Sequence, residues 1–163
     1  MKTIEPNLGD LIALRRQAAR RASDAATEMR EGAATGGVRT TLRLEALAVL
    51  AGALIAYDRT GGGWGLFALL FLLPDLSMLG YLAGPRIGAR VYNLAHSYLV
   101  PLGIGALGLL VALPFALPLA LIWAAHIAFD RALGFGLKYA AGFGFTHLGR
   151  VGRQDPWLSL IHI

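Results

Sequence analysis

The sequence predicts an all-α integral membrane protein, a four-helix transmembrane bundle with both termini cytoplasmic, and three observations carry that prediction. The first is composition. Of 163 residues 56% are hydrophobic and only 15% charged, where a soluble domain carries about 25% charged residues. A mean hydropathy of +0.57 agrees. The second is the presence of four apolar runs from Leu42 onward, each close to the ~20 residues that cross a hydrocarbon core of ~30 Å. The third is charge placement: of the 15 Lys and Arg, all but Arg59 fall at one end of those runs. The positive-inside rule assigns that end to the cytoplasm, hence a multi-pass protein of the inner membrane.

Residues 1–41 form a polar, basic N-terminal segment containing Arg15, Arg16, Arg20, Arg21, Arg30 and Arg39. Its apolar stretch at 11–14 is too short for a secretory core, and its acidic residues argue against a transit peptide. Leu8, Leu11 and Ile12 share one helical face ahead of the arginines, which fits a short helix on anionic lipid or a solvated tail ending in the flexible run 33–37. The spans are predicted at 42–57, 64–82, 91–113 and 115–133. Thr60-Gly61-Gly62-Gly63 closes the first pair, the loop with Gly84, Pro85, Arg86 and Arg90 the second, and Pro114 marks a tight third turn. Lipid satisfies no backbone hydrogen bonds and no strand alternation is visible, so helices are the spanning element across 42–133. Residues 134–163 make a glycine-rich, basic C-terminal cytoplasmic segment whose end, from Trp157, reads as interfacial.

Five ionisable side chains fall inside the predicted spans: Glu45, Asp75, His96, His126 and Asp130. With alternating helix directions all five reach the cytoplasmic half at similar depth. A charge at the centre of a membrane helix costs about 2.5 to 3.5 kcal/mol, so such a convergence points to mutual satisfaction or to a bound ion. His126 and Asp130 stand at i and i+4, about 6 Å apart on one face. Pro74 and Pro101 remove helix donors beside Asp75 and His96, which predicts kinks that open room in the bundle. Asp75, His96, His126 and Asp130 are the candidate ligands of one divalent metal, with imidazole and carboxylate suiting Zn, Mn or Fe(II). Glu45 is the candidate general base or water orienter, and Tyr92 and Asn93 are candidate donors behind the ligands. The alternative is an interhelical network in which Glu45 faces Arg43 or Arg131 and the histidines cap carboxylates.

Past the fourth span, Gly134 to Arg150 lacks the Gly-Lys-Ser/Thr ending and the strand context of a nucleotide loop. Lys138, His147 and Arg150 could form a lid there, and Arg86 in the second loop joins the same basic rim. Arg86, Lys138 and Arg150 are therefore the candidates for binding a substrate phosphate, while the aromatics of the segment could equally rest on the lipid interface. No nucleic-acid motif accompanies the pI of 10.1, which topology already explains. The absence of cysteine excludes thiolate nucleophiles, Cys-ligated zinc, iron–sulfur clusters and disulfides.

Arg43-Leu44-Glu45, Pro74-Asp75-Leu76-Ser77-Met78-Leu79-Gly80-Tyr81, Tyr92-Asn93-Leu94-Ala95-His96, the stretch His126 to Arg131, Gly136-Leu137-Lys138-Tyr139 and Thr146-His147-Leu148-Gly149-Arg150 together resemble the bacterial membrane family known as domain-of-unknown-function family 4260. The resemblance covers roughly 42–150 and implies a four-helix membrane protein; it brings no activity with it. A more distant similarity is to bacterial inner-membrane metal-dependent hydrolases. Their Pro-Asp, His-Ser and His-x-x-x-Asp steps have counterparts in Pro74-Asp75, His96-Ser97 and His126 to Asp130. The histidine that those enzymes place five residues before the His-Ser step is Val91 here, so the similarity implies a single metal at most.

The leading functional expectation is a metal-dependent hydrolase of a lipid or lipid-linked anionic substrate, with the bilayer as its surroundings. Two other classes fit the same residues. One is a proton- or ion-coupled transport protein. The other is a non-catalytic scaffold or partner-binding subunit, with Gly103, Gly105 and Gly108 as a small-residue contact surface.

Overall fold

The computed structural model describes residues 8–151. Everything predicted for the tail beyond, including the interfacial end from Trp157, lies outside the described residues. The chain divides into two units, the first ending at Ala33 and the second beginning at Ala34. The first holds one helix, α1 (Leu8–Glu31), longer than the short helix expected. Its Ala, Arg, Gln, Glu and Met content favours helix along the whole length. Leu8, Leu11, Ile12 and Leu14 are exposed on it.

The second unit carries four helical stretches long and apolar enough to cross a membrane, at Gly36–Arg59, Trp64–Ala83, Pro85–Leu110 and Ala116–Leu133. α2 (Gly36–Arg59) begins at Gly36 rather than at residue 42. Thr41 Oγ1 bonds the Gly37 carbonyl at 3.1 Å in the first turn, and Ala34 N–H donates to the His147 carbonyl at 2.8 Å, so the run read as flexible is tied down. At the far end Tyr57 is fully buried and donates to the Gly63 carbonyl at 2.9 Å. A Cβ on Gly62 would come within 2.7 Å of the Tyr57 ring, which explains a glycine there.

The second stretch is broken as Pro74 predicts. α3 (Trp64–Phe71) gives way to a 3₁₀ helix, Leu73–Ala83, with Pro74 at its start. Gly84, at φ +104°, makes the following turn alone. α4 (Pro85–Ala95) then starts at Pro85, a residue pre-set for a first helical position. Arg86 and Arg90 are consequently helical residues and not loop residues.

The third stretch breaks between α4 and α5 (Leu99–Leu110), at His96, Ser97 and Tyr98. In a continuous helix Leu99 N–H would bond the Ala95 carbonyl; here it bonds Ser97 Oγ at 3.2 Å. The Ala95 carbonyl is taken instead by the Trp123 indole N–H at 2.7 Å. Pro101, which has no N–H to offer the preceding turn, makes the break inexpensive.

α6 (Ala116–Leu133) is the central helix, burying Ala120, Ile122, Ala125, His126, Ile127, Ala128 and Ala132 against its neighbours. A Cβ on Gly105 would meet Ala120 at 3.4 Å, and one on Gly108 would overlap Ala116, whereas Gly103 faces open space. Two of the three glycines expected on a partner surface are thus spent inside the bundle, packing α5 on α6. Leucines such as Leu69, Leu82, Leu99 and Leu110 point outward, as a lipid-facing surface requires.

Where a glycine-rich lid was expected, the C-terminal segment folds into a small hairpin. β1 (Phe145–Thr146) pairs antiparallel with β2 (Gly149–Arg150). Residues 137–139 run beside β1 through His147 N–H to the Leu137 carbonyl (3.1 Å) and Tyr139 N–H to the Phe145 carbonyl (2.9 Å).

Candidate metal centre

The helix breaks and one helix face bring four side chains together. Asp75 comes from the start of the 3₁₀ helix, His96 from the gap between α4 and α5, and His126 and Asp130 from successive turns of α6. One ligand atom from each lies within 4.8 Å of all the others. His96 Nε2 and His126 Nε2 are 3.2 Å apart. Asp75 Oδ1 lies 3.6 Å from both imidazole nitrogens, and Asp130 Oδ2 lies 3.6 Å from His96 Nε2 and 4.0 Å from His126 Nε2. Bonds of about 2.0 to 2.1 Å to a tetrahedral ion put the ligand atoms about 3.4 Å from one another. The cluster is close to that size.

The donor chemistry agrees. His96 Nδ1 is 3.0 Å from the Tyr92 carbonyl, which can only accept, so the proton sits on Nδ1 and the Nε2 lone pair faces the cluster. Tyr92 stacks its ring on that of His96, with centroids 3.7 Å apart, and donates its hydroxyl to Asp130 Oδ2 at 3.1 Å. Phe71 sets its ring edge-on to His126 at 5.2 Å. Both histidines are buried, while the Asp75 side chain is about a third exposed, so the cluster opens on its Asp75 side. Two carboxylates and two imidazoles meeting at this distance need a shared positive charge, whether protons or a metal ion. His126 Nδ1 is buried without a partner among the described residues, so the ring is oriented by its Nε2 contacts and by packing against Phe71.

The remaining predicted site residues are placed differently. Asn93 does not reach the four ligands; its side chain clamps the Lys138 backbone, accepting from Lys138 N–H at 2.6 Å and donating to the Lys138 carbonyl at 2.8 Å. Lys138 is buried, with its ammonium 3.9 Å from the Phe143 ring centre and 5.0 Å from that of Tyr92, and with no hydrogen-bond partner among the described residues. Burial pushes its amine below the ordinary lysine range, and the nearby Asp130 carboxylate opposes that shift. It is enclosed by aromatic rings instead of reaching out as part of a lid.

Glu45 is not at the cluster. It lines a separate cavity of about 140 Å³ with Tyr98, Arg131 and His147, away from the four residues it was expected to serve as general base. Arg86 and Arg150 are exposed, the latter with its guanidinium 4.7 Å from the Phe145 ring centre. Neither makes an ion pair with the cluster among the described residues. The sequence reading missed Trp123, whose indole holds the helix break open behind His96. An indole inside an apolar helix carries one donor that must find an acceptor, and that was the available signal.

No curated protein and no solved structure matches the chain. A family model described as domain of unknown function DUF4260 matches residues 39–151, from the first turn of α2 through the hairpin and all four cluster residues. That is well over half of the sequence, and the chain belongs to the DUF4260 family.

Proposed function

We propose that Asp75, His96, His126 and Asp130 bind a single divalent metal, Zn, Mn or Fe(II), in the cytoplasmic half of an inner-membrane four-helix bundle whose termini both face the cytoplasm. The observation that supports this most is the distance set of the four ligand atoms, which approaches the edge length of a tetrahedral site. The orientation rests on the sequence positions of the basic residues, all but Arg59 of which fall on one side of the spans when helix directions alternate.

We further infer a metal-dependent hydrolase of a lipid or lipid-linked anionic substrate that enters from the Asp75 side. A divalent ion there supplies Lewis-acid chemistry and a water ionising near pH 7. Asp75, the most exposed of the four, stands at the opening with one carboxylate oxygen to spare, and takes the proton-handling role that Glu45 does not occupy. Tyr92 orients Asp130 and His96 together. Arg86 and Arg150, exposed at the same end, are the cations left to meet the substrate's phosphate. A second reading, a structural metal that ties three of the four spans together, is favoured by the number of protein ligands, since four fill a tetrahedral shell.

The two readings part in one assay. Purified protein loaded with Zn or Mn is incubated with lipid-linked phosphates, and release of the headgroup is followed beside an Asp75→Asn variant. Turnover that disappears in Asp75→Asn supports the hydrolase. Stoichiometric metal with no turnover on any phosphate ester or anhydride would leave the structural centre as the function of the site.

A further inference from the structure

The cavity beside Glu45 is built for a ligand of a different kind. Its polar lining comes from four places in the chain: Glu45 on α2, Tyr98 at the helix break, Arg131 on α6 and His147 on the hairpin. None of the four metal-centre residues lines it. Glu45 is exposed at the rim of the cavity, and among the described residues it forms no ion pair with Arg131, which leaves both charges available to a ligand. The Arg131 guanidinium lies on the Tyr98 ring, 4.3 Å from its centre, which occupies its face and leaves its N–H edges to donate.

Two further donors are fixed by what surrounds them. His147 Nδ1 accepts from Leu137 N–H at 2.8 Å, so the ring carries its proton on Nε2 and has that N–H to give. Burial and the neighbouring Arg131 both lower its pKa, which keeps the ring neutral in that tautomer. The Tyr98 hydroxyl is buried and has no partner among the described residues. Leu42, Ala46 and Val49, on the same face of α2 as Glu45, make the rest of the wall apolar. The cavity of about 140 Å³ is therefore lined by a cation, two neutral donors and, at its exposed rim, a carboxylate. It sits where α2 begins and α6 ends, the level at which lipid headgroups meet a bundle.

We propose that this cavity binds the phosphoethanolamine headgroup of a membrane phospholipid, with the phosphate on Arg131 and His147 and the primary ammonium on Glu45. A phosphoglycerol headgroup carries the same phosphate but offers Glu45 only neutral hydroxyls in place of a cation. A choline headgroup has no N–H to donate to the carboxylate. The site is independent of the metal proposal and stands or falls separately.

The test is lipid retention by native mass spectrometry of the delipidated, detergent-solubilised protein offered phosphatidylethanolamine, phosphatidylcholine and phosphatidylglycerol in equal amounts. One phosphatidylethanolamine per chain is expected, preferred at least tenfold, with Glu45→Gln reducing that preference about tenfold through loss of a charge-assisted hydrogen bond. Arg131→Met is expected to abolish retention of all three. Soluble phosphoethanolamine should compete; failure to compete would assign retention to the acyl chains and overturn the proposal. Equal retention of the three lipids by the unaltered protein, a result that needs no variant to fold, would overturn it as well.

Discussion

The Nε2 atoms of His96 and His126 stand 3.2 Å apart although the residues are 30 positions apart and lie on different spans. Because the other nitrogen of His96 is committed to the Tyr92 carbonyl, its Nε2 presents a lone pair toward His126 and the two carboxylates. Either a proton on His126 or a cation shared by all four groups makes that contact favourable. The carboxylate oxygens at 3.6 Å supply the negative charge that either one balances.

Tyr92 is the residue through which the ligand geometry can be loosened without removing a ligand. Tyr92→Phe keeps the stacking on His96 and deletes the hydroxyl that fixes Asp130. Metal affinity is expected to fall about 10- to 100-fold, as it does for partners that orient ligands, with little change in unfolding. Competition with a chelator of known affinity reads this directly.

Trp123 is predicted to matter for the fold at a distance from the chemistry. Trp123→Phe fills much of the volume but leaves the Ala95 carbonyl unpaired inside the bundle. The expected destabilisation is about 1 to 3 kcal/mol. Unfolding by a denaturing detergent would show it as an earlier midpoint.

Asn93 should act locally. Its two hydrogen bonds to the Lys138 backbone pin the segment after α6 to α4. Asn93→Ala is expected to raise hydrogen exchange at residues 137–139 and 145–150 at least tenfold, since two bonds are worth about 2 kcal/mol together. Exchange in α6 should stay unchanged.

Lys138 predicts a pH dependence with a definite sign. Burial lowers its folded pKa below the ordinary value of 10.5. Between the lowered value and 10.5 the unfolded chain binds a proton that the folded chain does not, so stability rises with pH across that window and levels off above it. Below the lowered value the buried charge is carried at full cost. Lys138→Met should flatten the rise seen in thermal unfolding of the unaltered protein over the same pH range, which checks both the sign and the residue.

Much of this arrangement was legible in the sequence. The four spans follow from length and hydropathy, and the meeting of Asp75, His96, His126 and Asp130 follows from equal depth once helix directions alternate. Pro74 and Pro101 mark kinks beside Asp75 and His96, and the structure goes further, to a 3₁₀ helix and a full interruption. What depth does not supply is azimuth. Glu45 lies outside the cluster and lines the same cavity as Arg131, whose chain neighbour Asp130 belongs to the cluster. A single chain without pairing information does not say which face of one helix meets which neighbour. The span boundaries at Gly36 and Pro85 moved for a related reason, since polar residues such as Arg39, Arg86 and Arg90 are tolerated in helices that end at the interface. The hairpin was hidden by its short strands and by glycines that serve packing, as where a Cβ on Gly136 would meet the His147 ring at 2.6 Å.

The most direct test of the metal centre is the metal content of the purified protein, measured by elemental mass spectrometry after growth with added Zn and Mn, beside a folded His126→Ala, Asp130→Ala double variant. The account predicts close to one divalent ion per chain in the unaltered protein and almost none in the variant. No metal in either would contradict it, and would assign the contact between His96 and His126 to shared protons.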